Sequence, residues 1–137
     1  MTSEESGLKL VDFFDHIAEA SRLARDYVAG MSKESFLKDR RTQQAVVLNL
    51  MVIGEAAARI VNEHKEFAAA HSKIPWAPMR GMRNRMAHGY FAVDLNILWD
   101  TVQSSLPNLQ SHVAAALEKL KEHDSQPSGE PREPTGS

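Results

Sequence analysis

No cysteine occurs among the 137 residues. Disulfides and thiolate-held metals are thereby excluded, and stability must come from packing. Long apolar runs are missing too. The most apolar stretch, "AVVLNLMVIG" at 45–54, is short and interrupted, and predicts no bilayer span. The first ten residues, "MTSEESGLKL", carry acids where a signal peptide carries bases. A cytoplasmic protein without a membrane partner is the expectation. There is no Walker-type or Gly-x-Gly-x-x-Gly loop, no internal repeat, and no strand-like alternation longer than a few residues. Six histidines are present, yet no His-Glu-x-x-His and no tight histidine pair, so neither a metal nor another cofactor is expected.

One further absence is local. Between Glu66 and Asp94 the chain has no acidic residue, while Lys73, Arg80, Arg83 and Arg85 lie in that window. The net charge of −2 argues against a protein that coats nucleic acid everywhere. Charge alone leaves two readings open: one focused anion site, or a solvated basic face.

What the sequence does contain is helical periodicity. Leu10, Phe13, Phe14, Ile17, Ala20, Ala24, Tyr27 and Val28 recur at helical spacing from Leu8 to Val28, and Gly30 is a plausible stop. "MSKESFLKD" reads as a connector with room for one short turn. A second helix is predicted from the N-cap Asp39 to about His64. Its apolar residues cover much of its circumference, which marks it as central. Gly54 weakens that helix by roughly 1 kcal/mol relative to alanine, as glycines do where another helix approaches. "HSKIPWAPM" is a loop leading into a third helix over Trp76–His88, with Gly89 expected as a left-handed cap. Asp94 caps a fourth helix, which Pro107 kinks or restarts. "NLQSHVAAALEKLKEH" completes the set. The predicted organisation is an all-α, up-and-down bundle of about four to five helices over residues 1–123, with a Pro/Glu-rich disordered tail at 124–137.

The residues with chemistry are "RNRMAHGY" at 83–90. Asn84 and His88 are four apart and share a helix face. Arg83 and His88 are five apart, which sets them roughly 140° apart around the axis. Tyr90 lies past the helix end. Histidine moves protons near neutral pH, and arginine holds phosphate with a forked pair of donors. Together they suit metal-free RNA cleavage: His88 as base on a 2′-hydroxyl or acid on the leaving oxygen, and Arg83 stabilising charge on the phosphorus oxygens. The product would be a 2′,3′-cyclic phosphate. A structural alternative stands beside this one, because histidine and arginine in a last helical turn also complement the helix dipole.

"RNRMAHGY" resembles the Arg-Asn-x-x-x-His-x-Tyr signature of the HepT-like branch of the HEPN superfamily. The likeness extends over roughly residues 8–121, through "DRRTQQAVVLNLMVIGEAA" with its Gly-Glu-Ala element and "IPWAPMRGMRNRMAHGYFAVDLNILWDTV". The resemblance implies a helical homodimer whose two Arg-x4-His motifs face one cleft. It also implies a ribonuclease toxin, paired with an MntA-like nucleotidyltransferase antitoxin that transfers AMP to the motif tyrosine. On this chain Arg83 and His88 would be catalytic, Asn84 supporting, and Tyr90 the modified residue. Two motifs across a two-fold axis would pool an arginine and a histidine from different subunits. AMP on Tyr90 would set an anion beside Arg83, in competition with RNA phosphate.

Three further readings accompany this one. Glu55 either pairs with Arg83 or another base and orients it, or forms an i,i+4 pair with Arg59. Arg80 and Arg85 either bind RNA phosphates or are solvated arginines. Trp76, Trp99, Phe13 and Phe14 belong to the core or a dimer interface. A function of a different class also remains: a non-catalytic nucleotide- or protein-binding helical module in which Arg83 only grips a phosphate.

Overall fold

The computed structural model describes residues 3–89 and 92–125. Among these residues the chain is helical throughout, with no strand. Helix α1 spans Ser3–Tyr27, α2 Lys33–Leu37, α3 Arg40–Glu63, α4 Lys65–Ala70, α5 Trp76–His88, α6 Leu95–Asp100 and α7 Leu106–Ser125. A π-helical turn, Thr101–Ser105, joins α6 to α7.

α3 is the centre of the bundle. It packs on α1 along one side and on α5 along the other, while α1 also packs on α7. Val46, Leu50, Ile53, Ala57 and Ile60 recur at helical spacing and are buried, which fixes the face α3 turns to the core. Phe14 and Ile17 from α1 and Leu98, Val102 and Val113 from the α6–α7 segment close the same core. By length and hydropathy α3 passes for a bilayer span, which the run at 45–54 did not suggest; more than half of it is buried inside the bundle, as in a central core helix.

The helix ends follow local chemistry. The Asp39 carboxylate accepts the Thr42 N–H at 3.0 Å and the Thr42 hydroxyl at 2.8 Å, which starts α3 where the sequence predicts. The connector carries the one-turn α2, closed by a Ser32–Ser35 capping box and anchored by the buried Phe36 against Trp99. The Trp76 indole N–H donates to the Ala68 and His71 carbonyls, both at 3.1 Å, and so ties the start of α5 to α4. The short α4 was not anticipated.

Two expectations at helix ends need correction. Gly89 is not left-handed: its φ is −149° and its ψ 50°. The chain leaves α5 through an Ala92 N–H to Gly89 carbonyl bond of 2.9 Å, and this exit needs no reversal of hand. Among the described residues the left-handed glycine is Gly30, with φ 79°. Pro107 neither breaks nor restarts the helix. The π-helical turn carries the chain past it, with the Leu106 N–H reaching back five residues to the Thr101 carbonyl. Proline then falls in the first turn of α7, where a missing N–H costs little. The expected tail lies outside the described residues from 126 onward, and α7 itself reaches Ser125.

Candidate active site

The site begins with a missing methyl group. Gly54 lies mid-α3, buried, where α5 crosses it. A Cβ there would collide with the Arg83 Cβ and stand 2.8 Å from the Met79 carbonyl oxygen. Glycine therefore lets the α5 backbone approach at the residue that carries the guanidinium. Met79 and Met86, four before and three after Arg83, are buried on the same face of α5 and hold it against α3.

The next residue of α3 supplies the partner. Arg83 Nη1 donates to Glu55 Oε1 at 2.6 Å. Arg83 Nε and Nη2 both donate to Asn84 Oδ1, at 3.2 and 2.9 Å. One guanidinium is thus gripped from two sides, and both terminal nitrogens keep an N–H group for a ligand. The pair is open to solvent: 31 % of the Arg83 side chain and 54 % of the Glu55 side chain are exposed. At that exposure an ion pair adds little stability, so its effect is orientation. Of the two pairings open to Glu55 in the sequence, the structure forms the one with Arg83. Arg59 turns instead to Glu63 at 2.7 Å, whose hydrogen bond and charge raise the Arg59 pKa above its ordinary value.

His88 stands apart from this cluster. It is exposed in the last turn of α5 and lines a cavity of about 450 Å³ between that turn and α6. Met82, Met86, Val93 and Ile97 make the walls, and Arg85 stands at the same cavity. Arg83 opens onto a different depression, with Glu55, Phe13 and Val52. The five-residue separation therefore has the consequence its geometry predicts, and one chain does not bring Arg83 and His88 into one cavity.

Arg80 belongs with neither. It lines a third depression beside Lys65 and Trp76, with its Nε buried and unpartnered. Tyr90 lies outside the described residues. No group of three His, Asp or Glu side chains among the described residues is placed to hold a metal ion. Phe14 is fully buried, Trp76 is partly buried against its ring at 6.1 Å, and Phe13 packs under Arg59. These aromatic rings serve the core. Sequence reasoning did not find the walls of the His88 cavity. The capping Asp94, whose carboxylate accepts the Asn96 and Ile97 N–H groups, was the signal that placed α6 there.

Comparison with known proteins bears on this geometry. The family model described as "Ribonuclease HepT-like" matches residues 17–116, a span holding Gly54, Glu55, Arg83, Asn84 and His88. A protein of Thermococcus cleftensis named a probable ribonuclease HepT is 39 % identical over 110 residues, covering 80 % of this chain and 94 % of that protein. One from Caldanaerobacter subterraneus subsp. tengcongensis, named as a candidate RNase, is 38 % identical over 109 residues, covering 80 % and 95 %. A third, from Methanocaldococcus jannaschii and also named as a candidate RNase, is 31 % identical over 112 residues, covering 82 % and 90 %. No solved structure matches. With most of its length matched by the family model and by relatives of similar size, the chain belongs to the HepT-like ribonuclease family.

Proposed function

We propose that the protein is a metal-independent endoribonuclease, the toxin of a toxin–antitoxin pair, and that it acts as a homodimer. The observation that carries this reading is the held guanidinium. Arg83 is pre-oriented by Glu55 and Asn84 yet keeps N–H groups free, as a group meant for a phosphate would. His88 is accessible at a cavity, where a proton carrier must meet substrate. Their separation within one chain supports a site shared between two chains.

The chemistry follows from the side chains. One His88 removes the proton of a ribose 2′-hydroxyl, and the oxygen attacks the adjacent phosphorus. Arg83 stabilises the charge that gathers on the non-bridging oxygens. The bond to the 5′-oxygen breaks, and that oxygen takes a proton from the imidazolium of the partner's His88. The products are a 2′,3′-cyclic phosphate and a free 5′-hydroxyl. Tyr90, two residues after His88, is the proposed acceptor of AMP from an MntA-like nucleotidyltransferase antitoxin. The added phosphate would compete for Arg83 and silence the toxin.

The test is cleavage of RNA by the purified protein in EDTA. Cleavage with cyclic phosphate ends is expected, and His88→Ala should lower the rate about 10²- to 10⁴-fold. Unchanged cleavage by His88→Ala would remove His88 from the chemistry. Nucleotide binding that depends on Arg83, without cleavage under any condition, would assign the non-catalytic reading instead.

A further inference from the structure

The cavity beside His88 does not end at α6. Val93 forms part of its wall and also part of the wall of a second groove, of about 340 Å³, between α2 and the start of α6. Leu37, Val47 and Leu95 line that groove, and Lys38 and Arg40 stand on it. The two depressions therefore form one continuous path from His88 to the α2–α3 junction.

The charge along this path has a consistent sign. Lys38, Arg40 and Arg41 fall within four residues and are exposed. The acidic groups beside the path are occupied as helix caps. Asp39 accepts from Thr42, and Asp94 accepts from the first N–H groups of α6. Backbone hydrogen bonding holds the Asp39 carboxyl pKa below its ordinary value, so it stays ionised, but it is directed at its helix. The groove floor is set by buried Phe36 and by Gln43, whose side-chain amide donates to the Phe36 carbonyl at 2.9 Å. An apolar cavity followed by cations on a rigid floor suits a strand of alternating base and phosphate.

We propose that this path is the binding track for the single strand flanking the scissile phosphate. One base of that strand enters the apolar cavity beside His88, and the next phosphate rests on Lys38 and Arg40. The inference rests on the ribonuclease reading and adds the residues that hold substrate beyond the reacting atoms. It also gives the enzyme a reason to prefer unpaired RNA, since a paired base cannot enter a cavity.

The full chain and a Lys38→Gln/Arg40→Gln variant are compared on a twelve-nucleotide single-stranded RNA and on a dinucleotide. Both substituted side chains are exposed, and circular dichroism checks the fold. On the longer RNA the variant should show a KM raised about tenfold with kcat unchanged. Its slope of log affinity against log salt should be shallower by about 1.4, at roughly 0.7 per lost phosphate contact. The dinucleotide, which has no further phosphate, should be cleaved equally by both proteins. Unaltered KM and salt slope on the longer RNA would overturn the track. So would a variant that loses only binding to an acidic peptide, because that result would make the groove a protein-docking surface. Failure of the unsubstituted protein to cleave any RNA would instead overturn the ribonuclease reading, and the salt slope would still report on the track.

Discussion

Arg83 shows how much one residue's placement depends on its neighbours. Gly54 clears the space for its Cβ, Glu55 takes one end of its guanidinium and Asn84 the other. Because the Glu55–Arg83 pair is largely exposed, its worth in stability is about 0–1 kcal/mol. Glu55→Gln should therefore leave the melting temperature within a few degrees of the original. It should lower kcat roughly ten- to a hundredfold, the usual penalty for a misplaced catalytic group. Gly54→Ala should act on the fold itself. A methyl group pressed against the Met79 carbonyl forces α5 outward, at about 1–3 kcal/mol or about 4–10 °C in Tm. Calorimetry and single-turnover cleavage on both variants separate the two effects. The sequence showed Glu55 as a charge in need of a partner but left the choice open. Local rules favour Arg59, four residues on with the acid on the N-terminal side. The partner that won is 28 residues away, and only the crossing of α3 and α5 brings it near.

At the scale of the element, what could be read from the sequence was what local chemistry determines. The start of α3 at Asp39 and the span of α5 are both as predicted, because a capping carboxylate and a proline-rich entry act within a few residues. The short α4 was missed because six residues after the His64 break carry too little pattern to mark a helix. The hand of Gly89 was missed because glycine permits a left-handed cap without requiring one; the outgoing chain decides. The Asp39 cap also carries a pH dependence. Hydrogen bonds from Thr42 lower its pKa in the folded state. Its stabilisation is thus complete above the ordinary carboxylate range and is lost as pH falls through the lowered value. Asp39→Asn keeps an N-cap that does not titrate. Acid unfolding followed by circular dichroism should therefore show a flatter loss of stability below about pH 4 in the variant.

At the scale of the molecule, the bundle was legible because α1, α3 and α7 carry their apolar residues at regular spacing. The site was not, since periodicity says which face is buried and not which faces of different helices meet. α3 carries an exposed apolar stripe next to Glu55: Leu48 is 62 % and Val52 37 % exposed. We place the proposed dimer contact there. Leu48→Glu should then yield a folded monomer in sedimentation, with ribonuclease activity lost. The most direct measurement mixes two inactive proteins, Arg83→Ala and His88→Ala, under conditions that let subunits exchange. If the site is shared, each mixed dimer pairs one intact arginine with one intact histidine. Half of randomly mixed dimers are mixed, so activity should recover toward about one quarter of the unsubstituted rate, and Leu48→Glu in both proteins should abolish the recovery. A mixture as inactive as its components, with exchange demonstrated, would contradict the shared site.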